Sequence, residues 1–338
     1  HAIRLHDAEQ EITVLTRDDS LPYSPTVLPY VVSGRAEPAR THLRSEAYFA
    51  EQKVHYLRRA KVQKLHAAER AIELADGSKI GFDKLLLATG AAPLLPSIPG
   101  LAAVRPHVLR TLADARALRA ALPRVKRALV LCGGLIGMHA AENLVKAKIA
   151  VSVVECEPHV LSGYFDAEAS AMIEAVFAAR GVRLLTGAGV ASFTPQGEGC
   201  LATLADGGVV EADLVLIATG VAPVTDYLEG SGVAIDRGVL VDDRMRTNLA
   251  DIWAAGDVAQ ARGFFTPERM LNGILPDAVD QGRVAGMAMA EDPAAKTYAG
   301  GVPLNTYTYF GQEALAVGVH EGALAPAGVE VRKQVDAK

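Results

Sequence analysis

Short apolar segments alternate along the chain with longer amphipathic, alanine-rich segments. This pattern predicts strands that alternate with helices. Apolar strands are expected at "EITVLT" (11–16), "RALVL" (127–131), "AVSVVE" (150–155) and "DIWAA" (251–255), and "ILPDAVDQGRVAGMAMA" is expected to form a turn and a helix. The alternation predicts an α/β fold with parallel sheets.

An internal repeat divides the chain into two related parts. Residues 73–93, "ELADGSKIGFDKLLLATGAAP", match residues 203–223, "TLADGGVVEADLVLIATGVAP", without a gap and with 11 of 21 positions identical. Each copy is typical of a strand, an Asp-Gly turn, a second strand and an apolar strand that ends in Ala-Thr-Gly. Pro93 and Pro223 then redirect the chain. The repeat therefore predicts a duplicated unit.

The strands upstream of the repeats also correspond, because "AVSVVE" of the second unit aligns with "EITVLT" of the first. On this alignment, the glycine-rich turn that begins at Cys132 in the second unit has its counterpart before His1. We therefore expect the opening strand and turn of the first unit to be missing from this chain. The opening segment "HAIRLHDAEQ" is then the rest of the helix that follows them.

The stretch "ALVLCGGLIGMHAAENL" (128–144) is typical of a strand, turn and helix that bind a dinucleotide. Gly134 takes the role of the glycine that lets the backbone approach a pyrophosphate, and Gly137 that of the glycine that lets helix and strand pack closely. The helix, expected to run on from Met138, offers its free N–H groups to the phosphates. The turn residues predicted to bind NAD are Gly133, Gly134, Leu135, Ile136 and Gly137.

Two further residues bear on nucleotide choice. Glu155 lies 18 residues beyond Gly137, where it can accept hydrogen bonds from an adenosine ribose and repel a 2′-phosphate, so NAD is favoured over NADP. Cys132 stands where such turns usually begin with glycine. It costs about 1 kcal/mol or more if φ is positive there, and less if φ is negative. We expect binding to survive, and the alternative is a Rossmann-type core that has lost its ligand.

Composition excludes several functions. The chain has 338 residues, enough for two or three domains, and 34 basic against 39 acidic residues give a net charge of −5, so no nucleic-acid partner is expected. No apolar run is long enough for a membrane span, and we expect a soluble, cytoplasmic protein without membrane insertion. The three cysteines are too few and too scattered for an iron–sulfur cluster or a zinc site, so no metal site is expected.

The segment "TNLADIWAAGDVAQ" (247–260) delivers Gly256 and Asp257 at the carboxyl end of an apolar strand, where ligands of open α/β sheets bind. Together with Ala-Thr-Gly-x-x-Pro at 88–93 and 218–223, it resembles the FAD- and NAD(P)-dependent pyridine nucleotide-disulphide oxidoreductase-like flavoproteins. In that family, the aspartate holds the ribityl chain of FAD. The following helix points its N-terminus at the pyrimidine edge of the flavin.

The resemblance covers nearly the whole chain and implies a domain organisation. It implies two Rossmann-like three-layer domains, an FAD domain and an NAD domain inserted in it, followed by the start of an α+β C-terminal interface domain. The implied bounds are 1–112 and 236–302 for the FAD domain, 113–235 for the NAD domain and 303–338 for the incomplete interface domain.

The resemblance also implies site residues. Those expected to bind cofactor, besides the NAD turn and Glu155, are Thr16, Arg17, Lys61, Val62, Ala88, Thr89, Gly90, Arg110, Gly220, Gly256, Asp257 and Ala278. His139 is the one candidate catalytic residue, because it stands where relatives commonly carry a glutamate that faces flavin and nicotinamide. It is expected to order the nicotinamide or to titrate near neutral pH. A histidine satisfied within a domain interface is the alternative.

The electron acceptor follows from what the chain lacks. Thiol-bearing branches of the family carry a redox cysteine near the segment that matches "PYSPTVLPY", whereas Ser24 and Thr26 stand here and no cysteine precedes Cys132. Flavin-linked thiol chemistry is therefore disfavoured, and Cys132 and Cys156 are interpreted as free buried thiols. Segments such as "LPYSPTVLPYVVSG" look most like a flavin-containing subunit of a 2-oxo acid dehydrogenase.

The resemblance thus implies an enzyme that relays electrons between NAD and a partner through FAD. The expected partner is an iron–sulfur redox subunit, in an oligomer or complex. The alternatives are a stand-alone NADH reductase of a ferredoxin or rubredoxin, an NADH oxidase that uses oxygen, and, from another class, a non-catalytic scaffold with the flavoprotein fold.

Overall fold

The computed structural model describes residues 1–318 and Gln334. The rest of the expected interface domain lies outside the described residues. Two α/β units make up the described part, one built on a five-stranded parallel sheet and the other on short, separate parallel pairs of strands. Of the described helices, none is both long enough and apolar enough to cross a membrane.

The second unit contains the five-stranded sheet. Its strands lie in the order Arg183–Leu185, Ala150–Val154, Arg127–Leu131, Leu214–Ile217 and His107–Val108, all parallel. Its helices are Leu112–Ala121, Leu135–Lys146 and Ala167–Ala179. The last four residues of the central strand are all buried, as expected for a parallel sheet covered on both faces.

Sequence signals explain how these helices begin. Thr111 and Asp114 form a capping box at the first helix, and Asp166 caps the third through the N–H of Ala169. The helix Leu135–Lys146 instead follows Gly134, and no side chain caps it. Its expected start at Met138 was wrong, because the last residues of the glycine turn already have helical geometry.

The first unit has three parallel strand pairs, Ile12–Leu15 with Val54–Leu57, Leu85–Leu87 with Ile252–Ala254, and Val239–Leu240 with Ala259–Arg262. In the second unit, the strands that correspond to Ile12–Leu15 and Leu85–Leu87 both pair with the central strand Arg127–Leu131. Among the described residues, no strand takes that central position in the first unit.

The remaining elements are short. Two similar three-stranded antiparallel sheets consist of Val62–His66, Ala71–Leu74 and Lys79–Gly81, and of Val190–Gln196, Gly199–Leu204 and Val209–Ala212. The other strands are Ala91–Pro93, Val221–Pro223, Arg269–Met270, Leu304–Tyr309 and Gln312–Val317. The other α-helices are Ala2–His6, Leu28–Val32, Glu46–Glu51 and Leu275–Met289. Single 3₁₀ turns span Pro25–Val27, Pro38–Arg40, Ala67–Glu69, Ala102–Val104, Leu122–Arg124, Asp226–Leu228 and Gly256–Val258.

The duplicated segments fold alike. Both Asp-Gly turns place glycine at positive φ, 84° at Gly77 and 88° at Gly207, which a tight turn between antiparallel strands favours. Each turn joins two strands of a three-stranded sheet, and each sheet leads into a strand of the parallel system. The strand, turn and strand order predicted for both copies is therefore confirmed.

The core of the second unit also receives side chains from outside its own sequence range. Val31 and Val32 of the helix Leu28–Val32, and Tyr307 and Tyr309 of the C-terminal hairpin, are buried in that core. Burial of apolar surface stabilises by about 25 cal/mol per Å², and here it holds the helix Leu28–Val32 and the C-terminal hairpin against the second unit.

Candidate functional site

The glycine turn after the strand Arg127–Leu131 is the first candidate site. Cys132 has a φ of 84°, in the left-handed region where a Cβ is costly. Its N–H donates to the carbonyl oxygen of Val154 on the next strand, at 2.8 Å, so the strained backbone is held in place. The sequence left the sign of φ at Cys132 open, and the structure shows the positive φ that strains the backbone.

Two glycines of the turn have different surroundings. A Cβ added at Gly137 would lie 2.0 Å from the carbonyl oxygen of Cys132, so only glycine lets the helix approach the strand this closely. A Cβ added at Gly134 would meet no atom closer than the Sγ of Cys132, at 3.9 Å. The space in front of Gly134 is open, and the uncapped first turn of the helix faces it with free N–H groups. This arrangement fits a pyrophosphate.

Glu155 shapes the turn from the neighbouring strand. Its side chain is buried, at 7% exposure. Oε2 accepts hydrogen bonds from the N–H of Gly133 at 2.6 Å and the S–H of Cys132 at 3.3 Å, and Oε1 accepts from the N–H of Glu157 at 2.8 Å. A carboxylate oxygen can accept more than one hydrogen bond, so Oε1 retains capacity for a ribose hydroxyl.

The three cysteines differ in environment. Burial raises the pKa of the Cys132 thiol to about 11, and the nearby charge of Glu155 adds to the increase, so this thiol is protonated at neutral pH and donates to Glu155. Cys200 is buried, but Cys156 is exposed. The interpretation of Cys156 as a buried thiol was wrong, because Glu155 turns inward and successive side chains of an extended chain point in opposite directions.

We expect the substitution Cys132→Gly to stabilise the protein by about 1 kcal/mol, because glycine adopts a positive φ without the Cβ penalty. Loss of the S–H bond to Glu155 offsets part of this gain. Thermal unfolding measures the stability, and flavin reduction titrated with NADH measures the affinity, which should be unchanged or higher. The exposed Cys156, replaced by serine, serves as control. A tenfold loss of NADH affinity in Cys132→Gly alone would contradict the prediction.

The two Ala-Thr-Gly segments hold each other where the chain crosses between the units. The carbonyl oxygen of Gly90 accepts from the N–H of Val224 at 2.9 Å, and that of Gly220 accepts from the N–H of Leu94 at 3.0 Å. The hydroxyl of Thr89 donates to the carbonyl oxygen of Val224 at 3.0 Å, and the threonine of the other crossing makes the equivalent bond at 2.8 Å. The two copies of the sequence repeat thus form two chain crossings that hydrogen-bond to each other.

Asp257 and Arg110 form the second candidate site beside the first crossing. Oδ2 of Asp257 lies 2.6 Å from Nη2 of Arg110, and both side chains are only about one-fifth exposed. Nε of Arg110 donates to the carbonyl oxygen of Ala91 at 3.0 Å. A Cβ added at Gly90 would lie 3.7 Å from Nη2 of Arg110. The structure thus brings together Gly90, Arg110 and Asp257. The ion pair between Arg110 and Asp257 was not predicted from the sequence. Ala88 directly follows the strand that ends beside them.

The helix Leu275–Met289 begins next to Asp257. The N–H of Gly256 donates to Oε1 of Gln281 on this helix at 2.8 Å. A Cβ added at Gly256 would lie 3.6 Å from the Cβ of Ala278. The expected FAD residues Gly256 and Ala278 are therefore neighbours, and a helix N-terminus lies beside the carboxylate.

Thr16 occupies in the first unit the place that Glu155 occupies in the second. The N–H of Thr16 donates to the carbonyl oxygen of Leu57 at 2.9 Å, and its own carbonyl oxygen accepts from the N–H of Ala60 at 2.8 Å. The backbone of Glu155 makes the same two bonds, one to the last residue of the strand Arg183–Leu185 and one to a residue shortly after that strand. The first unit therefore offers a hydroxyl where the second offers a carboxylate.

The other expected FAD residues lie beside Thr16. Arg17 forms an exposed ion pair with Asp18, at 3.8 Å. Lys61 and Val62 follow the residue that donates to Thr16, at the same end of the strand pair. Among the described residues, no hydrogen bond or ion pair joins these positions to the group around Asp257.

His139 lies between the helix Leu135–Lys146 and the C-terminal hairpin. Its ring makes an edge contact with Tyr307, with centroids 4.8 Å apart. Burial lowers the pKa of His139 below its ordinary value. Nearby Glu142, 4% exposed, accepts a hydrogen bond from the N–H of Phe310 at 2.7 Å. His139 therefore lies in the interface between this helix and the hairpin. This position agrees with the alternative, a histidine satisfied within an interface, and the catalytic role of His139 remains a prediction.

Several known proteins are similar to this chain. Residues 1–282 match the family model of the pyridine nucleotide-disulphide oxidoreductases. Subunit epsilon of the NADH-dependent phenylglyoxylate dehydrogenase of Aromatoleum evansii is 55% identical over 338 residues, which are 100% of this chain and 79% of that protein. The ferredoxin–NAD(+) reductase component of the biphenyl dioxygenase system of Paraburkholderia xenovorans is 33% identical over 76% of this chain and 63% of its own length.

Solved structures show the same fold. The ferredoxin reductase for the CYP199A2 system from Rhodopseudomonas palustris matches 95% of this chain and 79% of its own, with a TM-score of 0.88 and 27% identity. A water-forming NADH oxidase from Lactobacillus brevis matches 95% of this chain and 72% of its own, with a TM-score of 0.89 and 25% identity. The predicted α/β fold with two Rossmann-like domains is confirmed.

Proposed function

The chain belongs to the pyridine nucleotide-disulphide oxidoreductase family, and on that premise we propose that it is an FAD-carrying electron relay that reduces NAD within a dehydrogenase complex of the phenylglyoxylate dehydrogenase type. The observation that carries the proposal is the presence of two distinct sites, the glycine turn with Glu155 and the Arg110–Asp257 group. The 55% identity to subunit epsilon supports the choice of complex. Members of the family are oxidoreductases, so the scaffold alternative is set aside.

The glycine turn has the groups that NAD needs. The first turn of the helix Leu135–Lys146 presents N–H groups and the positive end of its dipole to a pyrophosphate. The open space at Gly134 admits the phosphates. Glu155 accepts hydrogen bonds from the ribose and, as a buried negative charge, disfavours the 2′-phosphate of NADP.

The group around Asp257 fits FAD. Arg110 binds Oδ2 of Asp257, while Oδ1 has no hydrogen-bond partner among the described residues and can accept from a ribityl hydroxyl. Glycines at 90 and 256 leave the backbone open beside it. When bound, FAD supplies two-electron exchange with NAD(H) and one-electron exchange with a second carrier. The residues of the chain bind and orient the two cofactors and leave the redox chemistry to them.

We assign the second electron carrier to a partner of this chain. All three cysteines belong to the second unit, and at the segment where thiol-bearing relatives place theirs, the hydroxyls of Ser24 and Thr26 lie 2.7 Å apart. The described residues contain no group of three or more side chains suited to hold a metal. We therefore assign the iron–sulfur clusters and the oxidation of the 2-oxo acid to partner subunits, which pass electrons to the FAD of this chain.

Native purification of the full-length protein, followed by mass spectrometry and an activity assay, tests the proposal. The expected result is FAD in the preparation, co-purified subunits rich in cluster-forming cysteines, and NAD reduction that depends on both phenylglyoxylate and coenzyme A. An isolated protein that rapidly oxidises NADH with ferredoxin, rubredoxin or oxygen and retains no partner would favour the stand-alone reductase or oxidase. A protein that neither contains nor takes up FAD would refute the relay.

A further inference from the structure

A buried carboxylate at the start of the helix Leu275–Met289 has no part in the function proposed so far. Asp277 is the third residue of this helix and is 8% exposed. Its Oδ2 accepts a hydrogen bond from Nδ2 of Asn272, and the hydroxyl of Tyr298 also donates to the carboxylate. The side chain thus points into the protein at a helix end where solvent would otherwise stabilise its charge.

Backbone closes over this carboxylate. A Cβ added at Gly301 would lie 2.6 Å from Oδ2 of Asp277 and 2.7 Å from Nδ2 of Asn272. A larger residue at this position would have to displace these side-chain ends, and glycine lets the loop pass without moving them. A charge covered in this way acts through a medium of low effective dielectric constant, so its field reaches further than that of a surface carboxylate.

Two short paths connect Asp277 to the proposed FAD site. Gly273, next to Asn272 in sequence, is so close to Asp257 that an added Cβ would lie 3.6 Å from the carboxyl carbon. On the other side, Gln281 accepts from the N–H of Gly256 at 2.8 Å and donates through Nε2 to the hydroxyl of Tyr298 at 3.3 Å. Each hydrogen-bond partner of Asp277 is thus one residue away from the turn that carries Asp257, through Gly273 on one side and Gln281 on the other.

We propose that Asp277 is a positioning residue for the electrostatics of this site and lowers the reduction potential of FAD bound beside Asp257. The inference rests on the proposed function. A helix N-terminus stabilises negative charge nearby, and reduction adds negative charge to a flavin. The buried carboxylate opposes that charge and makes the bound flavin a stronger reductant for NAD. No electron or proton passes through Asp277 itself.

The charge of Asp277 depends on pH. Burial raises the pKa of Asp277, with the hydrogen bonds from Asn272 and Tyr298 acting against the increase and the charge of Asp280 adding to it. Burial also raises the pKa of Tyr298 to about 12, so this neighbour remains a donor at neutral pH. Acidification therefore removes the charge of Asp277, and the flavin potential should rise more steeply with falling pH than proton uptake by the flavin alone predicts.

The protein without cofactor gives an independent reading of the same charge. Because the pKa of Asp277 is higher in the folded than in the unfolded protein, its contribution to stability is fully present below the unfolded pKa and is lost as pH rises through the folded pKa. In Asp277→Asn, this loss of stability with rising pH should be absent. Urea unfolding of both proteins across the mildly acidic range measures the difference.

The decisive measurement is the midpoint potential of the flavin in Asp277→Asn, equilibrated with NADH and NAD. We expect the variant to keep its FAD and to shift the equilibrium towards reduced flavin about tenfold, which is about 30 mV for a two-electron couple. The matched control is Asp280→Asn on the same helix. Asp280 is 43% exposed and pairs with Arg283 at 2.6 Å, and its removal should shift the equilibrium less than twofold. Equal potentials in Asp277→Asn and the wild type would overturn the inference.

The outcomes separate the inference from the function on which it rests. Absence of FAD from the wild-type protein would refute both, whereas bound FAD with an unchanged potential in Asp277→Asn would refute the inference alone. If Asp277→Asn does not fold, the wild-type potential is measured against pH. Added curvature in the mildly acidic range supports the inference, and a dependence explained by flavin protonation alone overturns it.

Discussion

Gly137→Ala is expected to lower the free energy of unfolding by about 3 kcal/mol and to abolish flavin reduction by NADH at concentrations that saturate the wild type. The new Cβ would lie 2.0 Å from the carbonyl oxygen of Cys132, which belongs to the backbone and cannot rotate away as a side chain could. The helix Leu135–Lys146 must therefore move off its strand, and its N–H groups leave their positions around the pyrophosphate. Urea unfolding and stopped-flow flavin reduction measure the two effects.

The matched control is Gly134→Ala, in the same turn. Its Cβ would have no neighbour closer than 3.9 Å in the protein itself, so stability should change by less than about 1 kcal/mol. The same methyl group enters the space that the phosphates need, so NADH affinity should still fall. Equal stability of Gly137→Ala and the wild type would show that the close contact between helix and strand is not required.

Glu155→Ala should weaken NADH binding by about 10- to 100-fold, or about 1.4–2.8 kcal/mol, and should narrow the preference for NADH over NADPH. The carboxylate has two separable effects. It accepts hydrogen bonds from Gly133, Cys132 and Glu157, which hold the turn, and it places a buried negative charge at the ribose. Alanine removes both effects, and titration of flavin reduction with each nucleotide measures the result.

Glu155→Gln separates the two effects. Its amide oxygen can still accept the hydrogen bond from Gly133 while its charge is gone, so the exclusion of NADPH should relax with a smaller loss of NADH affinity than in the alanine variant. If both variants kept the wild-type preference, Glu155 would have no role in nucleotide choice.

Features that depend on neighbours in sequence were predictable. The Asp-Gly turns, the apolar strands and the glycine spacing around Gly134 and Gly137 each depend on a few consecutive residues. The duplication by itself placed the two crossings in register. Local propensity, hydrophobic period and turn chemistry all favoured the same fold, which is why the α/β architecture could be predicted.

Features that depend on residues distant in sequence were not predictable. The ion pair between Arg110 and Asp257 joins positions 147 residues apart. The hydrogen bonds that Glu155 accepts from Cys132 and Gly133 depend on the register between parallel strands. Neither a composition nor a motif specifies such a register. The buried surroundings of Asp277 likewise depend on how the loop around Gly301 folds over that side chain.

The pairing of Leu85–Leu87 with Ile252–Ala254 determines the order in which this protein can fold during its synthesis. The strands of the five-stranded sheet all lie between 107 and 217, so that sheet can form while the partner of Leu85–Leu87 has not yet been made. At ordinary rates of translation, the earlier strand waits on the order of ten to thirty seconds with its apolar side chains uncovered. A chaperone that binds short apolar segments has its target in that interval, and synonymous codon changes that slow translation between the two strands will lower the yield of soluble protein without altering one contact of the finished fold.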